Sequence, residues 1–388
     1  MEQGTMRILF DLLRSAFRGT ALSQGIPQLT PEVFWDLLLL SRKHNIEHLL
    51  VYGLQCNTLI SEENIQLSNI VFEAAYRCEQ LCFELEQLCD ALEFAGIPFM
   101  PLKGAVLRKY YPEPWMRTSC DIDVLVHKDD VEKSVSVLLD KCGCTCYKKG
   151  SHDVALITPS AIRIELHYTL IEDRISESSS AVLERVWDFA TVCKGSCCRY
   201  EMNDELFYFY HIAHMAKHFE NGGCGIRPFA DIWFLKNTKG LNSEICNALL
   251  VQGKLLDFAR AAEKLSDVWF DDAEPDEVSL QMEKYVLDGG VYGSTENRIS
   301  VQQHKKHGKA GYLISKIFMP YDEIKYIYPI LKKHRWLTPF IEVLRWLNLM
   351  FGKRSGSVLK EIKINQSMSS DESDDMKKFL TQLGLMEK

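Results

Sequence analysis

The 388-residue sequence has no run of about 18 apolar residues, the length at which a helix begins to span a bilayer, so no membrane partner is expected. Its first twenty residues lack a continuous apolar core as well. Glu2, Asp11, Arg14 and Arg18 interrupt them, and Ile8, Leu9, Leu12, Leu13 and Phe17 recur at helical spacing, which argues against an export signal. Thirteen cysteines are present, yet Cys142, Cys144 and Cys146, like Cys193, Cys197 and Cys198, form no paired CxxC arrangement. In a long chain with no expected secretion signal they read as reduced thiols of a cytoplasmic protein, and strand alternation explains them more simply than metal binding. No internal repeat is evident.

What is present is ordinary for a soluble globular chain: 46% hydrophobic and 25% charged residues, enough for two or three domains with sizeable cores. The net charge of -8 is uneven. Ser300 to Gln366 holds 13 Lys and Arg against 4 Asp and Glu, a net of +9 that leaves -17 for the rest. Such asymmetry suits either a polyanionic partner or solvated basic helix faces.

From Met1 to Gly96 the pattern is helical. Its clearest helix runs from about Asn69 to Ala95, with Leu81, Leu85, Leu88, Leu92 and Ala95 on one face and Gly96 as the residue after its end. Short strands are expected at Ile97–Leu102, Asp121–Val126, Cys144–Lys148, Asp153–Thr158 and Ala161–Tyr168. A helix from Ala105 to Tyr111, and another capped by Asp129 and ended by Gly143, lie between them. This order implies an α+β fold: a small mixed sheet with helices on one face, over residues 92–175. Residues 1–91 form a helical N-terminal region. Beyond the Ser176–Ser180 turn, residues 176–365 form a helical C-terminal domain, and 366–388 an acidic linker or cap with a short terminal helix.

The chemistry concentrates in Pro101–Val126, PLKGAVLRKYYPEPWMRTSCDIDVLV. A strand puts residues i and i+2 on one face, so Asp121 and Asp123 point together while Ile122 and Val124 enter a core. Adjacent carboxylates repel unless a cation lies between them, and hard oxygen donors suit Mg²⁺. Glu165, on a strand whose other face carries Ile162, Ile164 and Leu166, is the third carboxylate. Together they can hold the two ions required for in-line attack on an α-phosphate. The Lys103-Gly104 turn ahead of a helix can offer backbone N–H groups and an ammonium to β- and γ-phosphates. Arg117 and Ser119, placed on the strand face of Asp121, can add charge-assisted bonds. His152 and His167 suit phosphate binding, base chemistry or plain hydrogen bonding within the sheet. His211, His214 and His218 share a helix face with Cys224 beyond. Zinc ligation is one reading of them, and buried hydrogen bonding or substrate contact is the other. Arg227 and Asp231 stand one helical turn apart, the spacing of an i, i+4 pair.

On Leu102-Lys103-Gly104, Arg117, Asp121-Ile122-Asp123, His152 and Glu165-Leu166-His167, with Phe318, Pro320, Tyr328-Pro329 and Pro339 further on, the sequence resembles the DNA polymerase β nucleotidyltransferase superfamily. Within it, the closest likeness is to a family of uncharacterised bacterial proteins, over about Arg77 to Phe351. The resemblance implies a nucleotidyltransferase core and transfer of an NMP group from an NTP, ATP among them, to an acceptor hydroxyl. It implies two Mg²⁺ (or Mn²⁺) ions on Asp121, Asp123 and Glu165. It also gives Arg227 and Asp231, after a glycine-rich break, a cleft-facing role. The acceptor stays open between RNA, protein and a small molecule, as do a toxin-like tRNA or protein nucleotidyltransferase and an inactive nucleotide-binding or regulatory module. One departure stands out. Ala105 follows Gly104 where the superfamily has serine or glycine, which shifts phosphate binding onto Lys103, Arg117 and Ser119.

Overall fold

Helices surround one small sheet in the computed structural model, which describes residues 3–26, 29–171, 175–238, 240–306, 308–351 and 355–386. Four helices lead in: α1 (Gln3–Arg18), α2 (Pro31–His44), α3 (Glu47–Cys56) and the long α4 (Ile65–Phe94). Asn64 caps α4 by accepting from the Leu67 N–H. At its other end Gly96 takes φ +62°, the Gly96 N–H donates to Glu93 O and the Ile97 N–H to Leu92 O. This left-handed closure satisfies carbonyls that would otherwise be orphaned, and it turns the chain into the sheet.

The sheet comprises β1 (Phe99–Pro101), β2 (Asp121–Val126), β3 (Thr145–Lys149), β4 (Asp153–Ile157) and β5 (Arg163–His167), in the order β1-β2-β5-β4-β3. β2 and β5 run parallel and the other neighbours antiparallel. α5 (Lys103–Leu107) follows β1, and α6 (Val131–Cys142) follows β2. Ile122, Val124, Val126, Val154, Leu156, Ile164 and Leu166 form one face, packed with Leu81, Leu88 and Leu92 of α4 and Val131 and Leu138 of α6. Each such side chain contributes about 1.5–3 kcal/mol on burial. With a period of two, this greasy face fixes the other one, which carries Asp121, Asp123, Arg163, Glu165 and His167.

Above that polar face lies a larger apolar cluster. It draws on α8 (Asp204–Phe219), α9 (Arg227–Thr238), α10 (Ser243–Gln252), α11 (Leu256–Phe270) and α12 (Glu277–Gly289), which follow the short α7 (Glu177–Leu183). Leu9, Leu12 and Phe17 of α1 and Leu49 and Leu50 of α3 join it, as do Met100, Leu102 and Leu125 at the sheet. The chain continues through α13 (Thr295–Lys305), α14 (Lys309–Ile317), α15 (Tyr321–Ile327), α16 (Thr338–Phe351), α17 (Ser355–Ser367) and α18 (Ser370–Gln382).

The α+β architecture is the expected one, with several local corrections. Asp129 does not cap α6: a single 3₁₀ turn, Lys128–Asp130, precedes it, and the cap position falls on Asp130 without a side-chain bond. Ser176 is not a turn residue but the N-cap of α7, accepting from the Ser179 N–H. A hairpin of β6 (Ala190–Val192) and β7 (Tyr200–Met202) interrupts the stretch expected to be helical; three-residue strands are too short to show a period. The acidic run from Ser370 to Asp375 is helical because Phe379, Leu380 and Leu383 anchor α18 in the larger core. Arg117 and Ser119 lie in the loop before β2, not on the strand.

Leu166, fully buried between α4 and the sheet, tests this arrangement. Leu166→Ala is expected to lower unfolding free energy by about 2–5 kcal/mol in urea denaturation, the range for a cavity that cannot collapse.

Candidate active site

The site is built where β1 hands over to α5. The Leu102 N–H donates to Asp123 O at 2.9 Å, tying the turn to β2. Lys103 then adopts φ +44°, a left-handed conformation that costs a non-glycine residue about 1 kcal/mol or more. Gly104 is required by a close approach: a Cβ there would lie 3.1 Å from Ser119 Cβ and 3.2 Å from Ser119 Oγ. This strained Lys-Gly turn aims the Lys103 Nζ at Asp123 Oδ1, 2.8 Å away. The His167 Nε2 lies 2.8 Å from the same oxygen.

The parallel register sets Asp123 beside Glu165 and Asp121 beside Arg163. Three carboxylates therefore share one face, and their environments differ. Asp123 is buried, which alone would raise its pKa, but Lys103 and then His167 outweigh burial and hold it well below the carboxylate range. Glu165 pairs with Arg163 at 2.7 Å, yet burial and the charge of Asp123 push its pKa up. Asp121 is raised for the same two reasons and is in no ion pair among the described residues. Ligand atoms of Asp123, Glu165 and His167 lie within 4.8 Å of one another, a donor set that a divalent cation fits. The His167 Nδ1 is buried with no partner among the described residues.

A cavity of about 350 Å³ opens onto these groups. One wall holds Lys103, Gly104, Ser119, Asp121, Asp123 and Glu165; facing it is α8, through Tyr210, His214, Lys217 and His218. The Nε2 atoms of His214 and His218 are 3.3 Å apart. Burial, then Lys217, keeps His218 neutral with a pKa of about 4, and burial, then Lys103, pushes His214 well below its ordinary value. Lys217 is brought down to about 8 by burial and then by the nearby charge of Lys103. His211 lines the cavity too, but its Nε2 donates to Pro228 O at 3.0 Å. The three histidines and Cys224 do not assemble into a metal cluster among the described residues.

The residues expected to grip phosphate divide. Lys103, Gly104, Arg117, Ser119, Arg227 and Asp231 all line the cavity. His152 and His167 do not; their rings stack on each other, with centroids 5.9 Å apart. Arg117 is committed to Asp231, with its Nε 2.6 Å from Oδ1 and its Nη2 2.9 Å from Oδ2. The Tyr111 hydroxyl donates to the same carboxylate at 2.7 Å. Ser119 accepts from the Arg108 guanidinium. Nor do Arg227 and Asp231 form the expected i, i+4 pair: Arg227 donates to Thr118 O and Asp231 is spent on Arg117 and Tyr111. Sequence reasoning missed Arg108, Tyr111, Tyr210 and Lys217. The last two could have been found, since Tyr210, His214 and Lys217 recur at steps of four and three.

A family model described as "Uncharacterised nucleotidyltransferase" matches residues 31–271. No curated protein and no solved structure matches the chain. The matched span begins before Arg77 and ends ahead of Phe318, Pro320, Tyr328-Pro329 and Pro339, so those tail-side features lie outside it.

Two substitutions separate charge held for function from charge held for structure. The raised pKa of Asp121 means that its protonated form is favoured in the fold. That advantage is complete below the ordinary carboxylate pKa and is lost as pH rises through the folded value. In chelator at neutral pH, Asp121→Asn is therefore expected to unfold later than wild type, by about 1 kcal/mol, with the gap closing toward pH 4 in thermal melts. Arg117→Met, which strands the buried Asp231, is expected to cost about 3–5 kcal/mol in denaturant titrations.

Proposed function

This chain belongs to the uncharacterised nucleotidyltransferase family, and on that premise we propose that it moves an NMP group from an NTP to an acceptor hydroxyl in a reaction dependent on a divalent cation. The observation that carries this is the uneven charge on the polar sheet face. Three carboxylates converge there, only Asp123 is neutralised by an ammonium, and Asp121 faces the cavity in no ion pair among the described residues.

Asp121, Asp123 and Glu165 would hold the metal: ligand atoms of Asp123 and Glu165 lie within 4.8 Å of each other and of the His167 imidazole, and Asp121 lines the cavity beside them. Two Mg²⁺ or Mn²⁺ ions, when bound, would neutralise phosphate charge and polarise the attacking and leaving oxygens. The chain's own residues account for the proton. As the acceptor oxygen forms its bond to the α-phosphorus, the bond to the β-phosphate oxygen breaks, and pyrophosphate departs with that electron pair. Glu165, whose raised pKa suits a proton acceptor, takes the hydroxyl proton. Lys103 lies beside Asp123 and supplies positive charge next to the carboxylates. The buried Arg117–Asp231 pair braces the loop that carries Ser119.

In this scheme the core spans residues 92–175, belongs to the DNA polymerase β superfamily, and is covered by the helical 176–365 region, which contacts base and acceptor. ATP is one candidate NTP, and the acceptor class extends to RNA, protein or a small molecule. The exposed Lys332, Lys333 and Arg335 favour RNA as the second reading, tested by whether neutralising them abolishes salt-sensitive RNA binding.

Labelled NTPs, Mg²⁺ and candidate acceptors give the direct test. Label transfer is expected in wild type and is expected to fall about a hundredfold or more in Asp121→Ala/Asp123→Ala. Transfer at the wild-type rate in that variant removes the metal assignment.

A further inference from the structure

We propose that the inward face of α8, through the Tyr210 hydroxyl and the Lys217 ammonium acting with Lys103, is the grip for the β- and γ-phosphates and hence for the pyrophosphate leaving group. The proposal rests on nucleotidyl transfer at this site. Two of the groups that the sequence pattern put on the triphosphate are engaged elsewhere: Arg117 on Asp231 and Ser119 on Arg108. The opposite wall holds what they would have supplied.

Tyr210 is 2% exposed, lines the cavity, and its Oη has no partner among the described residues. A buried hydroxyl left in that condition has lost its water without a replacement, and a ligand oxygen in the cavity would make good the loss. Lys217 lines the same cavity as Lys103, close enough to feel the charges of Lys103, Glu165 and Asp123. Two ammoniums converging beside three carboxylates is an arrangement that a polyanion bridged to a divalent cation completes. His214 and His218 bond to each other and remain neutral, so the positive charge that α8 turns to the cavity is carried by Lys217 rather than by the imidazoles. A nucleobase or sugar would gain little from this wall, whereas the β- and γ-phosphates are the part of an NTP that carries several charges.

The test uses inorganic tripolyphosphate with Mg²⁺, measured by calorimetry on the full chain, alongside titration of Mn²⁺ alone. Lys217→Met is expected to weaken tripolyphosphate by about 10–100-fold and Tyr210→Phe by about 3–10-fold. Mn²⁺ affinity should stay within about twofold of wild type. Tyr210→Phe should melt at or above the wild-type temperature, since it removes an unpaired hydroxyl and little else; a purely structural role would lower it. Unchanged tripolyphosphate affinity in Lys217→Met with Mn²⁺ binding intact overturns the grip, as does an equal loss of both affinities. The expected tripolyphosphate pattern in a protein that shows no metal-dependent label transfer supports the grip and counts against nucleotidyl transfer.

Discussion

One buried carboxylate organises this molecule. Asp123 sits on the interior strand β2, pointing away from the apolar face that holds the sheet to α4 and α6, and both a lysine and a histidine converge on its Oδ1. Burying that charge alone would be costly, and the two partners make it tolerable. Their positions dictate much else. Lys103 reaches it through a left-handed backbone that only a tightly packed turn can hold, and Gly104 makes room for Ser119 behind it. His167 reaches it because β5 lies parallel to β2 in one register and no other.

The consequence is an asymmetry among three acids that look alike in sequence. Asp123 is satisfied, Glu165 is partly satisfied by Arg163, and Asp121 has no such partner among the described residues. Stability and function pull in opposite directions here, as is common where a protein preserves charge for a ligand. Arg117 and Asp231 show the reverse case: a fully engaged pair at the edge of the cavity, joined across 114 positions, whose worth lies in fixing a loop.

Much of this was legible beforehand. The alternation of Asp121-Ile122-Asp123-Val124 and of Arg163-Ile164-Glu165-Leu166-His167 gave the sheet, its two faces and the acidic cluster, because a strand's period of two is a local property. The Gly96 closure of α4 was equally local. What was not legible depended on partners distant in sequence. Nothing near Arg117 indicates that Asp231 will claim it, and nothing near Tyr210 distinguishes a cavity wall from a core, since the whole of α8 is rich in aromatics. The β6–β7 hairpin and the helical α18 were hidden for another reason: one is too short to show periodicity, and the other is set by tertiary anchoring that overrides a polar composition.

The parallel pairing of β2 with β5 also bears on how the protein is made. His167 and Asp123 are 44 positions apart, and α6, β3 and β4 must be threaded between them before the central strands can meet. A nascent chain that has emerged only as far as β2 carries two acids and no binding site for a cation. Because non-local strand pairing costs loop-closure entropy before contacts offset it, the polar face is expected to form late and all at once. Ribosome-bound or truncated chains that end before β5 would then lack Glu165 and His167, and with them the cluster of possible metal-ligating atoms around Asp123.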